Sequence, residues 1–151
     1  MSKISAKDIE SFCKLESYAI IGVSKNPKKF GNIVYTKLKE KGYNVVPVNP
    51  NAQNIGNDKC YKNIKNIPCK SDGIIILTKP HNTSGIIKDA IDIGIKNIWI
   101  QQKSESDEAL EIAFRNNINP IFGQCILMYM LPKGIHLLHR KIKSFFGQMP
   151  K

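Results

Sequence analysis

Tyr18-Ala19-Ile20-Ile21-Gly22-Val23-Ser24-Lys25-Asn26-Pro27-Lys28-Lys29-Phe30-Gly31-Asn32 carries three signals in one run. Its first six residues are short, apolar and β-branched, the pattern of a buried strand. A loop from Ser24 to Phe30 leads to Gly31. Beyond it Ile33, Val34 and Leu38 recur on one helical face, and Gly42 is placed to end that helix. A strand feeding a helix through a glycine-bearing turn aims the helix N-terminus, with its free N–H groups and positive dipole end, at whatever lies above the strand. Anions are stabilised there. Ser24 adds a hydroxyl donor, and Lys25 or Lys28 a counter-charge, which together suit a diphosphate. The spacing is not G-x-G-x-x-G, so the ordinary dinucleotide fingerprint is absent. The plain alternative is a tight turn with solvated lysines; the strand before it and the helix after it favour phosphate binding.

The same alternation continues outward. On the N-terminal side, Ser5 with Asp8 forms a capping box for a short helix reaching about Leu15. On the C-terminal side, Val45-Val46-Pro47-Val48 reads as a second strand, although its proline removes one ladder bond. A loop with Gly56 and a turn around Ile64 follow. Gly73-Ile74-Ile75-Ile76-Leu77 is apolar throughout, as a strand covered on both faces must be. Ile86, Ile87, Ala90 and Ile91 mark a helix entered through Thr83 or Ser84 and closed near Gly94. Asn97-Ile98-Trp99-Ile100 is a fourth strand, Ser104 and Asp107 cap a further helix, and Pro120 to Phe122 is a short fifth strand.

Strands alternating with helices give a parallel sheet with helices on both faces. The fold class expected is therefore a Rossmann-like, three-layer α/β/α domain with five parallel strands in the order 3-2-1-4-5, occupying residues 1–130. Ligands on such sheets bind beyond the carboxyl ends of the strands, at the switch point beside strand 1. That rule selects the loops after Val23, Val48, Leu77 and Ile100.

The totals agree with one domain: 151 residues, of which 42% are hydrophobic. No apolar run approaches the roughly 18 residues of a membrane span. The N-terminus lacks a secretory apolar region, so a cytoplasmic protein is expected. Cys13, Cys60, Cys69 and Cys125 lack metal-ligand spacing and read as free thiols, with no metal site. The net charge is +11. Five lysines and no acid lie between Ser17 and Lys39, and no acid lies beyond Ile112. Such fields attract polyanions, whether phosphate ligands, nucleic acid or acidic membranes, although a lysine-rich composition also explains the total.

The second strand ends in Pro47-Val48-Asn49-Pro50-Asn51, with no carboxylate. NAD-binding domains place an acid there for the ribose hydroxyls, and such an acid would repel an adenosine carrying a ribose phosphate. Two prolines also offer a rigid apolar edge for an adenine. Alone, this loop is no more than a proline-stiffened turn.

In order and spacing, Gly22-Val23-Ser24-x-x-Pro27-x-x-x-Gly31, Gly42-Tyr43, Pro47-Val48-Asn49-Pro50, Thr78-Lys79-Pro80, Trp99-Ile100-Gln101 and Gly123-Gln124-Cys125 resemble the stand-alone CoA-binding domain proteins. These are similar to the N-terminal domain of the succinyl-CoA synthetase α subunit. The resemblance runs from about Tyr18 to Cys125. It implies coenzyme A or an acyl-CoA as ligand, with Gly22, Val23, Ser24, Lys25, Phe30, Gly31 and Asn32 around the diphosphate. It also implies that Val48, Asn49 and Pro50 line the adenosine side, that Thr78, Lys79 and Pro80 pass along the pantetheine or adenine, and that Gln101 lies deeper in the cleft. Relatives often have a lysine just after the Asn-Pro pair, suited to the 3′-phosphate. Asn51 stands there in this chain, leaving Lys25 or Lys79 for that role.

No catalytic residues are assigned. The chain is too short for the synthetase's phosphorylatable histidine domain or its partner subunit. His81 precedes a helix with no carboxylate evident to orient it, and reads as structural or ligand-contacting. Cys125 follows the fifth strand, where a cysteine is frequent in the family. Near the CoA thiol it would form a mixed disulfide and act as a redox thiol. The competing reading, a buried small hydrophobe, is favoured. In the basic tail, 131–151, Ile135, Leu138, Ile142 and Phe145 recur opposite His139, Arg140, Lys141 and Lys143. Docking of that tail helix on the domain is favoured over contact with an acidic membrane or RNA.

The expected function is thus a non-catalytic or regulatory CoA-binding module. The alternatives are a basic nucleic-acid-binding protein and an NAD(P)-linked Rossmann protein. Aromatic residues are 8% and unclustered, and no RNA-reading motif is present, so no specific nucleic acid is expected. The oligomeric state is left open.

Overall fold

A computed structural model describes residues 3–131. The tail beyond Leu131, and with it the expected docking of a basic helix, lies outside the described residues. Helix α1 (Ala6–Cys13) starts at Ser5 with the expected capping box. It is followed by β1 (Ser17–Ile21), α2 (Phe30–Glu40), β2 (Asn44–Val48), a short hairpin of β3 (Asn54–Ile55) and β4 (Asp58–Lys59), and a 3₁₀ turn at Ile64–Asn66. The chain continues through β5 (Gly73–Ile76), α3 (Pro80–Asp92), β6 (Asn97–Gln101), α4 (Asp107–Arg115), β7 (Ile121–Gln124) and α5 (Leu127–Met130).

The five long strands form one parallel sheet in the order β2-β1-β5-β6-β7. The parallel sheet and its two helical layers are as expected. Counted among these five strands, however, the order is 2-1-3-4-5 and not 3-2-1-4-5. The cause lies in the strands themselves. All four residues of β5 are buried, which demands neighbours on both sides and both faces. Residue Pro47 belongs on an edge, where no partner strand needs its missing N–H. The exchange moves the switch point to the gap between β1 and β5, the arrangement of the 2-1-3-4-5 doubly wound sheets.

Alternation along the strands divides the interior in two. Tyr18, Ile20, Ile75, Trp99 and Ile121 pack with Phe12, Val34, Leu38 and Leu127 under α1, α2 and α5. Their neighbours Ala19, Ile21, Ile74, Ile76, Ile98 and Ile100 pack with Ile64, Ile87, Ala90, Ala109 and Ala113 under the 3₁₀ turn, α3 and α4. Among the described residues no helix is long and apolar enough to cross a membrane.

Two helix starts differ from the sequence reading. Helix α3 begins at Pro80 with Lys79 as N-cap, one turn before Thr83. Proline at the first position suits a helix start because its missing N–H has no partner there anyway. Thr83 is instead buried within the helix and donates to the Ser104 carbonyl at 2.6 Å. Helix α4 is capped by Ser106, whose hydroxyl accepts from Ala109 N, and not by Ser104.

Candidate functional site

The carboxyl ends of β1 and β5 meet closely. Gly22 has φ +97°, and its N–H donates to the Val48 carbonyl at 2.9 Å. A Cβ at Gly22 would lie 3.0 Å from the Leu77 carbonyl carbon and 3.3 Å from Thr78 Cγ2. The turn after β1 is thus pressed against the turn after β5. Gly31 is tighter still, for a Cβ there would sit 2.1 Å from the Gly22 carbonyl oxygen. Only glycine lets α2 start this close to the strand it follows.

The loop between them is held by its own side chains. Ser24 Oγ accepts from Asn26 N, Asn26 Oδ1 accepts from Lys28 N, and Asn32 Nδ2 donates to the Ser24 carbonyl at 2.8 Å. Asn49 Nδ2 donates to the Val23 carbonyl at 2.8 Å, tying the β2 loop to the β1 loop. Asn32, expected at the diphosphate, and Asn49, expected on the adenosine side, thus brace these loops through their amides. Val23 has its side chain in the core, Lys25 is exposed and Phe30 is half-buried.

Helices α2 and α3 share an electrostatic feature that α1 and α4 lack. Each has a lysine as N-cap, Lys29 or Lys79, with no side-chain cap and no acid in the first turn. By contrast α1 and α4 carry serine caps and first-turn acids. The two positive dipole ends at the switch point are unneutralised by their own side chains, which favours an anion between them.

Beside this point lies a cleft of about 490 Å³, within the size range of small-molecule sites. Its walls include Ile21 and Val48 at the ends of β1 and β2, and Pro50 and Thr78 from two of the four expected loops, together with Ile64, Asn82, Gly85 and Ile86. The sequence reading missed the 62–64 segment and the α3 face. Tyr61 forms a bridge to Val48 at the free edge of β2, and this carries Lys62, Asn63 and Ile64 over the cleft. Asn82, Gly85, Ile86 and Asp89 share one face of α3 by their three- and four-residue spacing, a signal that was present. Lys79, Pro80 and His81 are exposed at the start of α3.

Gln101 lies elsewhere. It is 1% exposed, and its Oε1 accepts from Ile126 N at 3.0 Å, which fixes the turn into α5. Among the described residues its Nε2 is buried with no hydrogen bond of ordinary geometry. The Cys125 thiol is its neighbour. Cys125 is 1% exposed, and burial pushes its thiol pKa up, against the smaller opposing pull of the Gln101 amide and two backbone N–H groups. It packs as part of the core.

Comparison with known proteins decides the family. The CoA binding domain family matches residues 16–130. The chain belongs to this CoA-binding domain family. It is 30% identical over 95% of its length to the acetate–CoA ligase (ADP-forming) II subunit alpha of Pyrococcus furiosus, of which it spans 32%. It spans only 19% of the corresponding ligase of Archaeoglobus fulgidus. Whole small proteins also match. A conserved hypothetical protein of Pyrococcus furiosus superposes with a TM-score of 0.72 at 35% identity, covering 75% of this chain and 97% of that one. A hypothetical protein from Pyrococcus horikoshii superposes with a TM-score of 0.79 at 28% identity, covering 85% and 96%. As a CoA-binding domain protein, the chain is related to subunits of CoA ligases and to proteins of about its own size.

Proposed function

We propose that the chain binds coenzyme A or an acyl-CoA as a module without turnover of its own, through the unit of residues 1–130. The observation that carries this reading is the pairing of two uncapped, lysine-led helix N-termini at the switch point with an apolar cleft beside them. The diphosphate would sit against the turn of Gly22 to Ser24 and the start of α2 at Gly31, with Lys25 and Lys79 at hand. The adenosine would enter the cleft between Val48, Pro50 and Thr78. Glycines at 22 and 31 suit this role because backbone N–H groups, with no Cβ in the way, can approach the phosphates.

The coenzyme family fits better than NAD. The end of β2 offers Asn49, whose amide braces the Val23 carbonyl, and no acid for free ribose hydroxyls. A thermal-shift titration with CoA, acetyl-CoA, NAD and NADP tests the reading. A ligand that binds only the folded state, at 100 times its dissociation constant, adds about 2.7 kcal/mol. Stabilisation by CoA or acetyl-CoA and not by NAD is expected; stabilisation by NAD or NADP alone would reject it.

A further inference from the structure

Resting on the coenzyme reading, we propose that Lys62 and Lys88 form a second anion point at the cleft, which selects nucleotides carrying a phosphate monoester besides the diphosphate. The two lysines come from separate elements, the segment after β4 and helix α3, and both line the cleft. Neither makes an ion pair among the described residues, whereas their neighbour Lys65 is fully engaged. Lys65 Nζ lies 2.7 Å from Asp92 and 3.4 Å from Asp89. Asp89, the acid of the cleft lining, also accepts from Asn63 Nδ2 at 2.7 Å. Internal pairing thus leaves two uncompensated positive charges in the cleft.

Their position sets the shape of the ligand. Lys25, Lys29 and Lys79 belong to the switch-point turns and are not part of the cleft lining. Apolar walls from Ile21, Val48, Ile64 and Ile86 line the same cleft as the two lysines. A ligand filling both regions has one anionic group at the helix starts, an apolar or aromatic body, and a second anionic group near Lys62 and Lys88. Asn51 adds no charge at this site; its N–H closes an Asx turn on Asn49 Oδ1 at 2.8 Å. The 3′-phosphate of CoA supplies the second group, and dephospho-CoA lacks it.

Calorimetric titration at low ionic strength, with the ligand-stripped full chain, decides the matter. Two exposed lysine–phosphate pairs make CoA bind about tenfold tighter than dephospho-CoA, a preference that shrinks as salt is raised. In the Lys62→Ala/Lys88→Ala double variant, CoA affinity falls to the level of dephospho-CoA, while dephospho-CoA binding shows that the fold and diphosphate site persist. Equal affinities in the wild type, or a preference that survives in the double variant, would overturn the inference and leave the coenzyme reading standing. Failure of the wild type to bind either ligand would overturn both.

Discussion

Replacing Gly31 by alanine tests the junction on which the site is built. The added methyl would lie 2.1 Å from the Gly22 carbonyl oxygen and 3.3 Å from Val23 Cα, both backbone atoms that cannot rotate aside. To reach even 3.0 Å, the start of α2 and the turn after β1 must separate by about 0.9 Å. Overpacking of this kind costs about 1–3 kcal/mol, and alanine's better helix propensity returns at most about 1. A net loss of about 1–2 kcal/mol lowers Tm by roughly 2–8 °C in a domain of this size. The same shift would stretch a hydrogen bond of about 2.9 Å from the helix start to a phosphate past the useful range. CoA affinity therefore falls by about tenfold or more, since charge-assisted bonds of this type contribute about 1.5–3 kcal/mol each. Urea denaturation and calorimetry of Gly31→Ala measure the two effects separately. A variant with wild-type stability and wild-type CoA affinity would refute the reasoning.

The opposite outcome is expected at Gly85, where a Cβ meets no atom within 4 Å inside α3. Gly85→Ala should stabilise the fold by about 0.5–1 kcal/mol in urea titrations, while Gly85→Leu should keep the fold and block the cleft to CoA. Tyr18→Phe removes the 2.6 Å hydroxyl bond to the Phe12 carbonyl, which keeps the Leu15 N–H at 3.3 Å, and should lower stability by about 0.5–1.5 kcal/mol in the same assay. Asp58 is held below its ordinary pKa of 3.8 by Lys39 and by Tyr35, whose hydroxyl donates at 2.5 Å. A carboxylate with a depressed folded pKa adds stability above its unfolded pKa and loses it as pH falls through the folded one. Stability should therefore drop below about pH 4, and Asp58→Asn should flatten that limb in denaturation curves taken between pH 2 and 6. Timed alkylation with mass spectrometry should modify exposed Cys69 first and buried Cys60 and Cys125 last. Early labelling of Cys125 would restore the redox-thiol reading.

The fold was legible because its periodicity is clear. Short apolar runs at Tyr18, Gly73 and Asn97 could be only strands, and the stretch from Gly31 to Gly42 only a helix. The strand order was legible too, in the proline of β2 and the unbroken apolarity of β5, but the expected order did not weigh them. Capping misled at α3, because a lysine N-cap followed by proline gives no polar-cap signal and Thr83 offered a false one. In the site, glycine positions carried most of the information, since a Cβ at residue 31 would sit 2.1 Å from the Gly22 carbonyl oxygen and so strains the junction. The 62–64 wall of the cleft was hidden because it depends on a bridge between Tyr61 and Val48, a tertiary pairing with no local pattern. Asn32 and Asn49 were read as ligand contacts, and the bonds by which their amides also brace the loops had no signal in the sequence.

The central claim is that CoA binds at the carboxyl ends of β1, β2 and β5. An amide-resolved NMR titration of the full chain with CoA tests it most directly. The account expects shifts confined to Gly22–Asn32, Val48–Asn51, Lys62–Ile64 and Thr78–Lys88. Shifts centred instead on the opposite end of the sheet, around Ser17, Asn44 and Asn97, or no shifts at saturating CoA, would contradict it.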